Sequence, residues 1–213
     1  MMHPLLIVGA GGHATVIVDA LLAAGEQVVG FTDVDPLRRG STLCGRPILG
    51  DDSVLEERDR GTLLLVNGIG GVGDTSLRRT VQERLEARGW RFASVRHPAA
   101  VVSLHAHVGV SAQVLAASVV QIGATIGEGC IINTAAVVEH DVSLSKWVHV
   151  APRALLCGGV VVGEGSHIGA GAVVREGINL GAGTLVGAGA VVVDDFEGGG
   201  TLVGVPARVA RQR

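Results

Sequence analysis

The chain has 213 residues, of which 47% are apolar, and its formal net charge is −3, so no basic surface indicates a nucleic-acid partner. It contains 33 glycines, two Trp, three Phe and no Tyr, a composition typical of short stacked strands with many tight turns. No apolar run approaches the roughly 18 residues of a membrane span, no signal-peptide pattern is present, and the three cysteines are widely spaced. We therefore expect a soluble cytoplasmic protein with reduced thiols and no metal site.

The first motif follows a short apolar segment. Residues 5–8 predict a strand that ends in Gly9-Ala10-Gly11-Gly12-His13, and an apolar helical pattern comes next. A second strand over residues 27–32 ends at Asp33. This order matches the glycine-rich nucleotide fingerprint, in which the backbone approaches a phosphate at a helix N-terminus and an acid follows the second strand. A tight turn without a ligand is the plainer alternative. The candidate nucleotide-binding residues are Gly11, Gly12, His13 and Asp33.

The rest of the first 97 residues completes an alternation of strands and helices. This alternation predicts a Rossmann-like domain over residues 1–97, and Pro98 marks the start of a second domain over residues 98–213. The predicted segments are a loop over 36–50, a short helix over 51–60, a strand over 63–66, glycines over 68–73, a helix from 74 or 75 to 88, and a strand over 90–95.

The second domain is defined by a repeat. From Val102 to Val192 every sixth residue is Val, Ile or Leu, and the residue four places later is nearly always small. A period of six fits neither a free helix nor a simple strand, so we predict a parallel β-helix with three rungs in each coil of eighteen residues. The aliphatic side chains point inward. After a loop over 194–200, a strand over 201–205 and a short helix over 206–210 are expected to end the chain.

The repeat places distant residues side by side. Residues eighteen apart lie on adjacent strands, about 4.8 Å apart. His140-Asp141 then lies beside Gly158-Gly159, which predicts a slot without side chains next to a histidine. His149 stacks on His167, and Pro152, Ala170 and Ala188 form a column of small residues. Such grooves would admit a long, thin ligand.

Several of these residues also have plainer interpretations. His140, taken alone, would be a solvated turn residue, and His149 would be a structural one. His167 is expected at an interface or on the surface, and Trp147 on an exposed rung, packed against a neighbouring subunit. Cys130 and Cys157 are interpreted as small core or corner residues.

The motifs together resemble those of a known enzyme family, the hexapeptide-repeat acyltransferases. Members of that family fold as left-handed parallel β-helices and work as trimers. The branch that resembles this chain most N-acetylates nucleotide-linked amino sugars of the bacillosamine and perosamine type, and sialic-acid O-acetyltransferase-like proteins share its plan. The segments that carry the resemblance are Gly9-Ala10-Gly11-Gly12-His13, Asn133-Thr134, Glu139-His140-Asp141, Val148-His149-Val150 and Gly204-Val205-Pro206-Ala207.

The resemblance implies a reaction and a role for each candidate. Acetyl-CoA would be the acyl donor, a nucleotide-linked amino sugar the acceptor, and a homotrimer would carry active sites at its subunit interfaces. His140 would be the general base, oriented by Asp141 or Glu139. His149 would hold the thioester carbonyl, and Asn133 would touch the sugar. The coenzyme A arm would lie along Gly158, Gly159, Ala170 and Ala188, while Gly11, Gly12, His13 and Asp33 would hold the nucleotide and its phosphates.

Other functions remain open at this stage. O-acetylation of sialic acid or of another sugar hydroxyl uses the same plan. A zinc hydratase of the carbonic anhydrase type also uses a β-helix, but His105, His107, His140, His149 and His167 do not reproduce its histidine spacing. A non-catalytic nucleotide-binding protein would not depend on His140. The loop over 70–75 departs from the family pattern, so the sugar and the nucleotide base are undetermined. The sequence also does not distinguish acetyl from a longer acyl group.

Overall fold

The computed structural model describes residues 3–71 and 73–210. The chain divides into two compact units. One comprises residues 3–71 and 77–98, and the other comprises residues 73–76 and 99–210.

The first unit contains a five-stranded sheet in the order β3-β4-β2-β1-β5. Strand β1 pairs in parallel with both β2 and β5, and its four residues are all buried, as expected for the central strand of a parallel sheet. Helix α1 buries Ile17, Val18 and Leu21. The elements are β1 (Leu5–Val8), α1 (Gly12–Ala23), β2 (Val28–Thr32), β3 (Thr42–Leu43), β4 (Arg46–Gly50), β5 (Leu64–Asn67), α2 (Ser76–Ala87) and β6 (Val95–Arg96), with 3₁₀ turns at Pro36–Arg38 and Asp52–Leu55.

The prediction of a loop over residues 36–50 was wrong. This segment forms the antiparallel pair β3–β4, and β4 joins the sheet in parallel beside β2. Cys44 and Gly45 connect the two strands with φ angles of 49° and 71°, which suits a tight hairpin turn. The hairpin is not apparent in the sequence because Cys-Gly is not a typical hairpin pair, and because Pro47 and three glycines are typical of a loop.

In two further segments of this unit the observed element is shorter than the one that the sequence predicts. The short helix expected over 51–60 is only the 3₁₀ turn Asp52–Leu55, which begins where the Asp51 carboxylate accepts a hydrogen bond from Ser53 N at 2.9 Å. The strand expected over 90–95 is reduced to a bridge between Phe92 and Leu65, followed by β6. Trp90 is buried in a hydrophobic cluster here, so its apolar character reflects packing and not a strand.

The second unit is a parallel β-helix with three faces. Most of its strands are two residues long, and they pair at intervals of eighteen, as the repeat predicts. Face one contains β7 (Val101–Val102), β10 (Val119–Val120), β13 (Val137–Val138), β16 (Leu155–Leu156), β19 (Val173–Val174) and β22 (Val191–Val192). Face two contains β8 (His107–Val108), β11 (Thr125–Ile126), β14 (Ser143–Leu144), β17 (Val161–Val162) and β20 (Asn179–Leu180). Face three contains β9 (Gln113–Val114), β12 (Ile131–Ile132), β15 (His149–Val150), β18 (His167–Ile168), β21 (Leu185–Val186), β23 (Thr201–Val203) and β24 (Arg208–Val209).

The aliphatic repeat forms the core of this unit. From Val114 to Val192 every repeat position is at most 2% exposed, and only Val102 and Val108 in the first coil are partly exposed. Small residues between them, such as Ala124, Ala136 and Ala154, belong to the same buried cluster. The two-residue strands alternate inward and outward, so the residue before each repeat position points away from the core of the β-helix. On face three several of these residues, such as Ile131, His149 and His167, are nevertheless buried.

Two sequence predictions for this unit were wrong. Trp147 is 2% exposed and packs within its own chain, where a β-carbon on Gly129 would lie 2.5 Å from the indole ring. The helix expected over 206–210 is instead the strand β24, which runs antiparallel to β23.

Candidate active site

The glycine loop, residues 9–12, lies at the carboxyl end of β1. Gly9 adopts φ +91°, and its backbone N–H donates to Thr32 O at the end of β2. On the other side of β1, a β-carbon on Gly68 would collide with Ile7 and Ala14, so the loop after β5 passes close to the glycine loop. Because the strands on the two sides of β1 are β2 and β5, the crevice where open α/β sheets bind ligands lies at these loops.

Asp33 holds this region together. Its Oδ2 accepts hydrogen bonds from Ala10 N at 3.2 Å and from Arg38 Nη1 at 2.9 Å, and its Oδ1 accepts one from Asp35 N at 3.0 Å. Its side chain is only 13% exposed, whereas that of Arg38 is 35% exposed. A guanidinium therefore lies beside the first residues of the glycine loop. Sequence analysis missed Arg38. The signal that could have identified it is the position of a basic residue five places after Asp33.

His13 lies between the two loops of this crevice. It is the second residue of α1, and it is half-buried. A β-carbon on Gly70 would lie 3.0 Å from His13 Cβ, so the absence of a side chain at Gly70 leaves room for the histidine. Gly11 and Gly12 have open space around them, and the backbone at the start of α1 is accessible to an anion.

His140 and Asp141 form a hydrogen-bonded dyad on the β-helix, at the turn between face one and face two. His140 Nδ1 lies 2.9 Å from Asp141 Oδ2. A carboxylate only accepts hydrogen bonds, so Nδ1 carries the proton and the lone pair of the neutral ring resides on Nε2. This is the nitrogen that a general base needs to have free.

The dyad lies between two glycines. A β-carbon on Gly158, one coil further along the chain, would overlap His140 Nε2 and would lie 2.5 Å from Cε1. A β-carbon on Gly123, one coil earlier, would overlap Asp141 Oδ1. The predicted adjacency of His140 and Gly158 is therefore present, but the expected empty slot is not, because the imidazole itself lies over Gly158.

Of the two acids that flank His140, Asp141 makes the hydrogen bond to the ring. The charge of Glu139 instead affects the thiol of Cys157. Burial, followed by the charges of Glu176 and Glu139, raises the pKa of the Cys157 thiol above its ordinary value. Asp141 is therefore the better candidate for orienting His140.

A second cluster lies on face three. His149 and His167 are 5% and 6% exposed, and their rings meet edge to face with centroids 4.8 Å apart. Asn133 Nδ2 lies 3.1 Å from His149 Nε2. The expectation that His167 lies on the surface was wrong, since it is buried within the chain next to His149.

These residues open into a cleft of about 510 Å³. Asn133 and the two histidines supply its polar groups, and the remaining wall is apolar or backbone. The small residues in the wall leave the backbone accessible and leave room for a thin chain such as the pantetheine arm of coenzyme A. The lining residues are Gly73, Asn133, His149, Ala151, Pro152, His167, Gly169, Ala170, Leu185, Val186, Gly187 and Ala188.

The dyad and the cleft lie on opposite sides of one β-helix. His140 belongs to the turn between β13 on face one and β14 on face two, whereas His149 belongs to β15 on face three. In a triangular coil, the corner between two faces is opposite the third face. The rows of inward Val, Ile and Leu side chains fill the space between the two clusters.

Neither a metal cluster nor a membrane span is found in the part of the chain that the structure describes. Residues 3–71 and 73–210 contain no group of three or more His, Cys, Asp or Glu side chains placed to hold a metal ion. Within the same residues, no helix is long and apolar enough to cross a membrane.

Comparison with known proteins identifies the family. Residues 4–85 match the family model of the PglD N-terminal domain. The acetyltransferase domain of PglB from Neisseria gonorrhoeae is 35% identical, with a TM-score of 0.89, and the match covers 98% of this chain and 100% of that one. The chain belongs to the hexapeptide-repeat nucleotide-sugar N-acetyltransferases. No curated protein gave a significant match.

Further solved structures of this family agree with the assignment. PerB from Caulobacter crescentus, in complex with CoA and GDP-perosamine, is 37% identical with a TM-score of 0.91, and the match covers 99% of each chain. Two other structures, of perosamine N-acetyltransferase from the same organism, carry a histidine replaced by asparagine or alanine, again with CoA and GDP-perosamine. WeeI from Acinetobacter baumannii, at 23% identity and a TM-score of 0.85, shares the fold.

The family assignment establishes the type of enzyme and its co-substrate. It is an acyltransferase with acetyl-CoA as its co-substrate. Its fold is a Rossmann-like α/β domain followed by a left-handed parallel β-helix, as the sequence predicts.

Proposed function

We propose that this N-acetyltransferase transfers the acetyl group of acetyl-CoA to the amino group of a UDP- or GDP-linked 4-amino-4,6-dideoxy sugar, with His140 as the general base. The observation that carries the proposal is the dyad. The carboxylate of Asp141 fixes Nδ1 of His140 as a donor at 2.9 Å, which leaves Nε2 to accept a proton. The side chain of His140 is 61% exposed, so a substrate has access to it.

The reaction then follows from this geometry. The sugar amine attacks the carbonyl carbon of the thioester while Nε2 of His140 takes a proton from the amine. Asp141 stabilises the imidazolium that forms. Collapse of the tetrahedral intermediate breaks the carbon–sulfur bond, and the imidazolium returns the proton to the thiolate. The products are the N-acetylated sugar and coenzyme A, and His140 is neutral again.

The cleft on face three would hold the acyl donor. His149 and Asn133 are the polar groups at one end, where a thioester carbonyl would be met by a hydrogen-bond donor. Ala170 and Ala188 lie along the groove and leave room for the pantetheine arm. In this proposal Gly158 and Gly159 would contribute backbone contacts to the donor at the dyad, and Asn133 would also reach the sugar.

The first unit would bind the nucleotide sugar. Gly11 and Gly12 expose the backbone at the start of helix α1, and His13 lies beside them. Asp33 would act chiefly through Arg38, whose guanidinium it holds at 2.9 Å and which is the more exposed of the two. A cation at this position complements the diphosphate of a nucleotide sugar.

A complete site would need two copies of the chain. One copy cannot bring His140 to His149, because the core of its own β-helix separates them. Face one presents an outward row of aliphatic residues that are exposed or half-buried in the single chain, as expected of an interface between copies. We propose a homotrimer in the cytoplasm with its sites between subunits. The row consists of Val101, Val119, Val137, Leu155, Val173 and Val191.

The test is a substrate panel. The protein is mixed with acetyl-CoA and UDP-, GDP- or dTDP-linked 4-amino sugars, and thiol release and product mass are followed. Release of coenzyme A with a 4-amino sugar, and a product whose acetyl group resists hydroxylamine, would support N-acetylation. No release with any amino sugar, together with release in the presence of sialic acid to give a hydroxylamine-labile product, would replace the proposal by O-acetylation.

A further inference from the structure

Gly123 lies one coil before the dyad and supplies no side chain of its own to it. A β-carbon at this position would overlap Oδ1 of Asp141 and would lie 3.3 Å from its Cγ. A backbone hydrogen bond fixes the relative position of the two residues, since Asp141 N donates at 3.1 Å to the O atom of Ile122, the residue before Gly123. Gly123 N in turn donates to His105 O at 3.2 Å in the preceding coil. The Asp141 carboxylate thus occupies the space that a side chain at position 123 would take.

Asp141 itself has little freedom in its backbone. Its φ is +60°, in the left-handed region that non-glycine residues seldom adopt. The carboxylate therefore starts from a fixed backbone and reaches His140 Nδ1 only by lying across Gly123. On the far side of the dyad the imidazole lies across Gly158. Both side chains of the dyad can lie against the corner of the β-helix because the positions that they cover, Gly123 and Gly158, lack a β-carbon.

We infer that Gly123 is a positioning residue, which sets the orientation of His140 by leaving room for the Asp141 carboxylate that binds it. This inference rests on the proposed role of His140 as the general base. A methyl group at position 123 would turn the flexible end of Asp141 away, because moving a side chain requires less energy than moving the backbone. The ring of His140 would then lose its partner at Nδ1 and its fixed tautomer.

The test compares two glycine-to-alanine variants with the same backbone conformation. Gly123 has φ +74° and Gly183 has φ +65°, and both are exposed at corners of the β-helix. A β-carbon on Gly183 meets only Gly199, at 3.9 Å, in ordinary van der Waals contact. Gly123→Ala and Gly183→Ala should therefore lose similar stability through backbone strain, and only Gly123→Ala should disturb the dyad.

Steady-state kinetics give the first readout. For Gly123→Ala we expect kcat to fall by about 10- to 100-fold with KM for acetyl-CoA within about twofold, as for a residue that acts on the transition state and not on donor binding. Gly183→Ala should retain the wild-type kcat. Equal kcat values for the two variants would overturn the inference.

A double-mutant cycle tests whether Gly123 acts through Asp141. In an Asp141→Ala background the carboxylate is gone, so Gly123→Ala should change kcat by less than about twofold. A second loss as large as the first would show that Gly123 acts by another route, and would also overturn the inference.

A spectroscopic readout separates this inference from the proposed function. Ring ¹⁵N shifts of His140, assigned by difference from His140→Gln, report which nitrogen carries the proton without any substrate. We expect the Nδ1-protonated form in the wild type and in Gly183→Ala, and a mixture of tautomers in Gly123→Ala. If the enzyme acetylates no amino sugar but this pattern holds, the proposed function fails and the positioning role stands. An unchanged tautomer in Gly123→Ala would refute the positioning role whatever the activity.

Discussion

At the scale of single residues, the chemistry depends on what surrounds each titratable group. His140 is one of eight histidines, and its Nδ1 lies 2.9 Å from the Asp141 carboxylate. His149 is buried beside Asn133 and His167, in surroundings that suit the binding of a carbonyl better than proton transfer to solvent. The two histidines thus have different environments and, in the proposed mechanism, different roles.

Replacing His140 should abolish most of the activity while leaving the fold intact. For His140→Gln we expect kcat to fall by about 10²- to 10⁴-fold, because glutamine cannot accept the proton of the amine. Thiol release with the best sugar of the panel measures the effect. The control is His105→Gln, at an exposed position in the first coil of the β-helix, which should retain full activity. Equal losses in the two variants would contradict the assigned role of His140.

Cys157 should be a slow nucleophile. Burial, and then the charges of Glu176 and Glu139, raise the pKa of this thiol, so the reactive thiolate is scarce near neutral pH and increases only at higher pH. In a Cys44→Ser background, which removes the exposed cysteine, we expect alkylation by iodoacetamide at about pH 8 to be slower than for a free thiol. Glu176→Gln should speed the reaction. Alkylation as fast as that of a model thiol would contradict the expected shift.

At the scale of elements, the six-residue rung explains both stability and the site. The inward aliphatic residues form one buried cluster, and each coil stacks on its neighbours by parallel pairing. The same stacking brings Gly123, Asp141 and Gly159 into one column. A rung therefore contributes to the core on its inner side and to the site at its corner.

A matched pair of isoleucines tests the contribution of the core. Ile132 is fully buried in the β-helix, whereas Ile122 is 54% exposed at a corner. Ile132→Ala should reduce the free energy of unfolding by about 2–5 kcal/mol, because it removes buried methyl groups and leaves a cavity. Ile122→Ala should change it by less than about 0.5 kcal/mol. Urea denaturation measures both, and similar values for the two variants would contradict the assigned packing.

At the scale of the whole molecule, the proposed site depends on assembly. The dyad lies at the corner between faces one and two, the cleft lies on face three, and a packed core separates them. The outward aliphatic row on face one offers a surface on which copies can associate. Assembly would then place the dyad of one copy near the cleft of another.

Mixing impaired variants tests this arrangement. If each site takes His140 from one subunit and His149 from the next, trimers reassembled from equal amounts of His140→Gln and His149→Ala should regain about a quarter of the wild-type sites. Thiol release before and after reassembly measures the recovery. A mixture of His140→Gln with Asp141→Ala should show no gain on reassembly, because no subunit then carries an intact dyad. Absence of recovery in the first mixture, with trimers confirmed by sedimentation, would contradict shared sites.

Much of the fold and part of the site were predictable because the repeat is local. Once every sixth residue is an inward aliphatic, the pairing of residues eighteen apart follows, and so does the proximity of His140 to Gly158. The β3–β4 hairpin was not predictable, because its Cys-Gly turn pair is unusual, β3 has only two residues and β4 contains Pro47. The burial of Trp147 was missed for a different reason: the spacing of eighteen places Gly129 beside Trp147, but it does not specify the rotamer that lays the indole over that glycine.

The sequence by itself determined the order of the two folds, the coil of eighteen residues and the pairing of His140-Asp141 with Gly158-Gly159, because spacing along the chain fixes backbone register. Only the tertiary structure decided which acid binds His140, that the imidazole covers Gly158, and that Arg38 binds Asp33. These depend on side-chain rotamers and on contacts between distant segments, which spacing does not specify. The separation of the dyad from the cleft has a different cause, because the closure of the three-sided coil puts them on opposite sides of one core.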